Sequence, residues 1–423
     1  MLQTMKPKNK LITINKIANA LLIFSAIVFL FGSGYRLGQY RSQQGNRESS
    51  GISKSGVTTD MSLFWNVWNI LEEKYVNETK LNKEKMVFGA IKGMVASLND
   101  PYTYFMTPSE NKESKDGLGG LYEGIGAQLG KKDDQIIIVS PLKGSPAEAS
   151  GVLSGDTIVA VNNKSTKGWT IGKAVNEIRG KRGTEVLLTL GRANGTVDLK
   201  IKRESIVVDP IELSYKSSNS CKGEPCPRVA YIRVVQFGDQ TNEKWDEAVS
   251  EVAQKWNAHT IDGLVLDLRG NPGGYLESAV YLASDFLKEN SLVVKQVYSK
   301  SRSKEYNVTR PGFLYDIPVV VLVDQGSASA AEILAGALKD HGKAILVGEK
   351  TFGKGSVQEA MDLNQGTGLH VTVAKWVLPK GAWINGTGIR PDITIDNSTS
   401  STDTVTDATD NQLQKAIETV IGS

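Results

Sequence analysis

The stretch PVVVLVDQGSASAAEILAGALKD, residues 318–340, decides the fold. Its first half is a continuous apolar run without polar alternation. Such a run suits a strand buried on both faces, as in a parallel sheet packed between helices. Its second half is a helix-forming run. The turn between them places Ser327 and Ser329 at a strand-to-helix junction. Side chains there are exposed, and the first N–H groups of the helix are free.

The same alternation extends in both directions. Upstream, VAYIRVV is followed by a helical TNEKWDEAVSEVAQKW, and DGLVLDL by YLESAVYLASDFL. Downstream, AILVGE supplies another apolar strand. Strands alternating with helices predict a mixed α/β core over residues 205–395. Residues 117–204 differ: IIIV, TIVAVN, EVLLTL and VDLKIKR are short strands among frequent glycines, with one helix at TIGKAVNEIRG. They predict a small β-rich module inserted ahead of the core. Residues 60–116 are a helical region in which Leu63, Phe64, Val67, Trp68 and Leu71 recur at helical spacing. That stripe suits either core packing or a homodimer contact. Asp60 is positioned to cap this helix. Residues 396–423 hold a polar linker and a last amphipathic helix, NQLQKAIETVI.

Composition excludes several classes. The 423 residues are 40% hydrophobic and 22% charged with a net charge of +3. These values fit a globular chain of two or three domains. No segment concentrates Lys and Arg with aromatics, so nucleic acid is not an expected partner. Residues 17–35, IANALLIFSAIVFLFGSGY, carry no charge and follow four lysines. At about 1.5 Å per residue they reach roughly 28 Å, the thickness of a bilayer's hydrocarbon core. They read as a transmembrane anchor, or otherwise as a signal sequence. Residues 1–16 would form a short cytoplasmic tail and residues 36–59 a flexible tether. The bulk of the chain would then lie outside the cytoplasm, periplasmic or at the cell surface. In that compartment Cys221 and Cys226, in CKGEPCP, are expected to form a disulfide worth about 2 kcal/mol. No complementary Cys or His pair exists for a metal, and no metal or other cofactor is expected.

If a serine in QGSAS attacks a substrate, it needs a base. The chain has three histidines, His259, His341 and His370, none of them in these motifs. The segment EKTFGKGSVQEA offers Lys354 among glycines and small residues. An amine buried there loses hydration in its charged form, which lowers its pKa and makes it a competent base. Lys354 and Gln358 fall on one side of a strand, and also of a helix, so Gln358 can orient the amine in either. The third element, DLRGNPGG at residues 267–274, follows a strand and lets main-chain N–H groups approach an oxyanion. Each segment alone has a plainer reading: a helix cap, an exposed lysine, a glycine turn. A nucleotide loop is not expected, because no Lys-Ser/Thr follows the glycines and no G-x-G-x-x-G is present.

Together the three segments resemble the C-terminal processing peptidases, or tail-specific proteases, of the Ser/Lys class. The resemblance implies a crotonase-like α/β peptidase core. It assigns Ser329 as nucleophile, Lys354 as base and Gln358 as its orienting partner. It assigns the oxyanion donors to Ala330 N–H and to one glycine of the pair Gly273 and Gly274. The β-rich module likewise resembles a PDZ domain: YEGIGAQLG matches the carboxylate-binding loop at Gly124, Ile125 and Gly126, and GSPAEASGVLSGDTIVAVNN matches the central stretch. Ala331 stands where serine is common in the family. The expected activity is a membrane-anchored serine endopeptidase cutting near the carboxyl termini of extracytoplasmic proteins, with room for an adaptor. The alternatives are a non-catalytic PDZ scaffold on a decayed peptidase fold and a crotonase-type acyl-CoA enzyme.

Overall fold

The computed structural model describes residues 59–132, 135–142, 144–153, 155–169, 171–192, 195–218, 226, 228–299, 302–396 and 409–422. The described residues divide between Gly89 and Ala90 into two compact units. In the first, α1 (Ser62–Lys74) buries none of its residues. Asp60 accepts the Ser62 N–H at 2.9 Å, so it does serve the start of this helix. The division falls within α2 (Lys83–Ala96).

The second unit continues with β1 (Tyr104–Met106), α3 (Pro108–Leu118) and β2 (Leu121–Gly124). The PDZ-like module follows, with β3 (Ala127–Lys132), β4 (Gln135–Pro141), α4 (Pro146–Ala149), β5 (Thr157–Val161), β6 (Lys164–Ser165), α5 (Ile171–Ile178), β7 (Glu185–Arg192) and β8 (Gly195–Lys202). Its sheet runs β3-β4-β5-β7-β8, with β6 beside β5. It has its own apolar core, including Ile136, Ile138, Ile158, Leu188, Leu190 and Ile201. Next comes β9 (Glu204–Val207), which pairs antiparallel with β2 from Leu121↔Val207 to Gly124↔Glu204. This ladder ties the entry of the inserted module to its exit.

The larger core then adds β10 (Ile211–Ser217), β11 (Arg228–Val234), α6 (Thr241–Asn257), β12 (Gly263–Asp267), α7 (Leu276–Ala283), β13 (Leu292–Tyr298), β14 (Ser303–Asn307), β15 (Val319–Val323), α8 (Ala330–Asp340), β16 (Ala344–Gly348), β17 (Ser356–Asp362), β18 (Gly368–Val377), β19 (Ile393–Thr394) and α9 (Asn411–Ile421). Its main sheet has the order β10-β11-β12-β15-β16-β19. All its pairings are parallel except β10 with β11. Both β12 and β15 are buried at every residue, as their unbroken apolar runs require. Leu264, Leu266, Val319 and Val321 pack with α6, α7 and α8 on one face. The alternate residues Val265, Val320 and Leu322 pack with Leu413, Ile417 and Val420 of α9 on the other. A second sheet, β1-β18-β13-β14 with β17 beside β18, carries the segment after Lys354.

Residues 17–35, expected to cross a membrane, lie outside the described residues. Among the described residues no helix is long and apolar enough to span one. Cys226 is disulfide-bonded, and Cys221, its expected partner, also lies outside the described residues.

Candidate active site

Three loops leave the carboxyl ends of the adjacent parallel strands β12, β15 and β16. They carry DLRGNPGG, QGSAS and TFGKG, in that order. Open parallel sheets present ligand sites at this edge, because the loops there converge while the strands hold them rigid. The three loops are bonded to one another. Ala328 N–H donates to Asn271 O at 2.9 Å and Phe352 N–H to Ser327 O at 3.0 Å.

Ser329 stands immediately before α8 with φ 54° and ψ −115°. A non-glycine residue in this region stores about 1–3 kcal/mol of strain and is held only by well-made surroundings. The first surrounding is Glu332, fully buried. Its Oε2 accepts the Ser329 N–H at 2.9 Å and the Lys354 N–H at 2.9 Å. Its Oε1 accepts the Thr351 hydroxyl at 2.5 Å and the Gly353 N–H at 2.7 Å. One carboxylate thus joins the backbone of the serine to that of the lysine. The second surrounding is Gly273, with φ 96°. A Cβ there would lie 2.7 Å from the Ser329 Cβ and 2.9 Å from Ala330 N, so only glycine lets the loop pass this close.

The Gly273 N–H is engaged by Asn271 Oδ1 at 2.8 Å. Among the described residues no hydrogen bond occupies the N–H of Gly274 or of Ala330. Ser327 is fully buried: its hydroxyl donates to Leu268 O at 2.8 Å and accepts the Asp324 N–H at 3.0 Å. It is therefore a tie between two loops, whereas Ser329 is half-exposed.

Lys354 is half-buried, and burial lowers its pKa from the ordinary lysine value, with the charges of Glu332 and Asp100 acting in the opposite sense. Its Nζ rests over the Tyr102 ring, 5.0 Å from the centroid. The expected arrangement around Gln358 differs. Lys354 precedes β17 and so is not on one strand with Gln358. The β17–β18 register shifts between Val357 and Gln358. The Gln358 amide donates to Ser356 Oγ at 2.8 Å and to Thr372 Oγ1 at 3.2 Å. Among the described residues no hydrogen bond joins Lys354 Nζ to Gln358 or to Ser329. No histidine lies in the motifs, but one comes near them in space. His370 on β18 lies close enough to Lys354 for that charge to depress its pKa, behind the larger effect of burial. It shares a 3.0 Å hydrogen bond with the Tyr104 hydroxyl.

In the PDZ-like module, Gly124, Ile125 and Gly126 connect β2 to β3. Ala147 N–H donates to Ile125 O at 2.8 Å and Leu142 N–H to Gly126 O at 2.9 Å, fixing the loop's carbonyls inward. A groove of about 310 Å³ opens beside it, lined by this loop, by Val175 and Ile178 of α5, and by Gly270 and Pro272. The last two belong to DLRGNPGG, so the groove borders the active-site loop itself.

Residues 228–395 match the profile of peptidase family S41. Carboxy-terminal processing protease CtpA of Bacillus subtilis (strain 168) is 37% identical over 375 residues, 88% of this chain and 74% of that protein. This chain belongs to peptidase family S41. The S41 peptidase is a serine peptidase with homologues among carboxy-terminal processing proteases. A probable CtpA-like serine protease of Staphylococcus aureus (strain MRSA252) is 40% identical over 354 residues, 83% of the chain and 68% of that protein. Residues 113–191 match the PDZ domain, and residues 23–110 match the activating protease CtpB N-terminal domain. Among solved structures, the photosystem II D1 C-terminal processing protease aligns at a TM-score of 0.55 and 27% identity, covering 87% of this chain and 98% of that one. A putative S41 protease from Bacteroides fragilis shares the fold at a TM-score of 0.56 and 19% identity, over 84% and 96% of the two chains.

The sequence reading missed Glu332. Its signal was present: Ser329-Ala-Ala-Glu332 has the spacing of a capping box. It also passed over Tyr102.

Proposed function

We propose that this S41 peptidase cleaves proteins near their carboxyl termini outside the cytoplasm, anchored by residues 17–35. Ser329 Oγ attacks the scissile carbonyl carbon while its proton passes to the neutral amine of Lys354. The C–N bond then breaks, and Lys354 returns the proton to the leaving amine. Water hydrolyses the remaining ester by the same base. Ala330 N–H and the uncommitted Gly274 N–H are the donors for the oxyanion. Catalysis needs the Lys354 amine to leave the Tyr102 ring and meet the Ser329 hydroxyl, with Gln358 turning toward it. Sites without substrate commonly show such looser geometry. The PDZ loop at Gly124 to Gly126 takes the substrate's terminal carboxylate on its backbone donors.

The observation that carries this reading is Glu332, whose single carboxylate ties Ser329 and Lys354 together at the carboxyl edge of the sheet. With four hydrogen bonds the buried carboxylate is satisfied, and it holds the Ser329 and Lys354 backbones in the one arrangement the dyad needs. The test is cleavage of a peptide ending in a free carboxylate. Wild-type protein cleaves it, and Ser329→Ala and Lys354→Ala each abolish turnover with unchanged thermal unfolding. Turnover by Ser329→Ala would refute the assignment.

A further inference from the structure

The oxyanion loop is held from an unexpected direction. Arg269, third residue of DLRGNPGG, is largely buried between two carboxylates. On one side Asp267, at the end of β12, takes its Nε at 3.0 Å and its Nη2 at 2.6 Å. Asp267 also receives the Tyr231 hydroxyl at 2.7 Å. On the other side stands Asp410, immediately before α9. Its Oδ2 lies 2.9 Å from Arg269 Nη2, and its Oδ1 accepts Arg269 Nη1 at 3.1 Å. Gln412 Oε1 accepts the same Nη1 at 3.1 Å, while its own amide donates to Ile395 O at 2.7 Å. Among the described residues the Nη1 end of the guanidinium is therefore held by Asp410 at the cap of α9 and Gln412 in its first turn, over 140 positions along the chain.

That helix is itself firmly seated. Leu413, Ala416, Ile417 and Val420 cover the second face of the main sheet. Val420 occupies the space left by Gly263, where a Cβ would come within 2.3 Å of Val420 Cγ1. Beyond Arg269 the loop has further fixed points: Gly270 N–H on Asp324 Oδ1 at 2.8 Å, and the Asn271 amide on Val234 O at 2.7 Å. After Pro272 comes Gly273, packed against Ser329 and Ala330, and then Gly274, packed against Phe237.

We propose that Asp410 is a positioning residue for catalysis: from the C-terminal helix it fixes Arg269, and through Arg269 the Gly273–Gly274 backbone that receives the oxyanion. The proposal rests on the serine mechanism above. A purely structural role is the rival, since Asp410 also accepts the Leu413 N–H at 2.9 Å and so caps α9. Asparagine caps helices as well as aspartate does but carries no charge for Arg269.

The experiment compares full-length Asp410→Asn and Asp410→Ala with wild type. It measures kcat and KM on one peptide, the Ki of the matching peptide aldehyde, and thermal unfolding. The aldehyde adds the serine oxygen to give a hemiacetal whose oxyanion probes the loop's donors. For Asp410→Asn, kcat should fall between about 10- and 100-fold, with KM within about twofold and Tm little changed. The aldehyde Ki should rise by a matching factor. Asp410→Ala should show the same loss with a lowered Tm. Wild-type kcat and Ki in Asp410→Asn, with only Asp410→Ala impaired, would reduce Asp410 to a helix cap. A fall in kcat without a change in Ki would equally overturn the oxyanion role. Failure of the aldehyde to inhibit wild type would instead sink the serine mechanism itself.

Discussion

At the scale of single residues, the main tension is between Glu332 and Lys354. The mechanism needs a neutral amine. Burial favours that form by lowering the Lys354 pKa, and the charges of Glu332 and Asp100 act in the opposite sense. Lys354 is protonated and idle at low pH, so kcat/KM should rise with pH. Its midpoint should lie below the ordinary lysine value of about 10.4. Lys354→Arg should be inactive at every pH, because guanidinium keeps its proton. Glu332→Gln should move the rise to still lower pH by removing a charge that favours the ammonium. It should also lower kcat at least about 100-fold, since an amide cannot accept all four donors now on the carboxylate. A pH-rate profile of each variant checks both statements, and an upward shift in Glu332→Gln would contradict the electrostatic account.

At the scale of elements, the two serines separate. The family resemblance gives the attack to Ser329 and no chemical role to Ser327. The turn uses it to tie β15's loop to Leu268 on β12's loop. Ser327→Ala should keep the chemistry but destabilise the protein by about 1–3 kcal/mol, because buried partners lose their bonds. Denaturant unfolding alongside peptide turnover will show this. Gly273→Ala should do the reverse. Its methyl group meets Ser329 and Ala330 at under 3 Å, and its positive φ is unfavourable for alanine. Turnover should be lost even where the variant still folds; an active Gly273→Ala would mean the loop is not held against the nucleophile. The β12, β15 and α8 boundaries were legible because an unbroken apolar run and a helix-forming run are local patterns. The register shift at Gln358 was not, since it depends on pairing with β18.

At the scale of the whole molecule, the PDZ groove and the oxyanion loop share Gly270 and Pro272 as neighbours. The proposed tail-binding loop at Gly124 to Gly126 therefore lines a groove that also reaches the DLRGNPGG loop. Ser329→Ala protein should bind a peptide acid at least about tenfold more tightly than the same peptide amidated, because charge-assisted bonds to the carboxylate are lost. Isothermal titration at constant ionic strength measures the difference. Equal affinities would remove the loop from tail recognition.

The amino-acid sequence by itself determined the α/β core, the β-rich insertion and the family, since each rests on periodicity or on contiguous motifs. It also singled out Ser329, Lys354, Gly273 and Gly274 by residue type and local spacing. Only the tertiary structure decided what lies around them. Glu332 joins two loops through four hydrogen bonds, Tyr102 takes up the lysine amine, and Asp410 reaches Arg269 from the far end of the chain. The physical reason is the same in each case. Propensity and pattern act over a few residues, whereas hydrogen bonds, ion pairs and desolvation depend on distances in space. Those distances are set when parallel strands bring remote loops to one edge of a sheet.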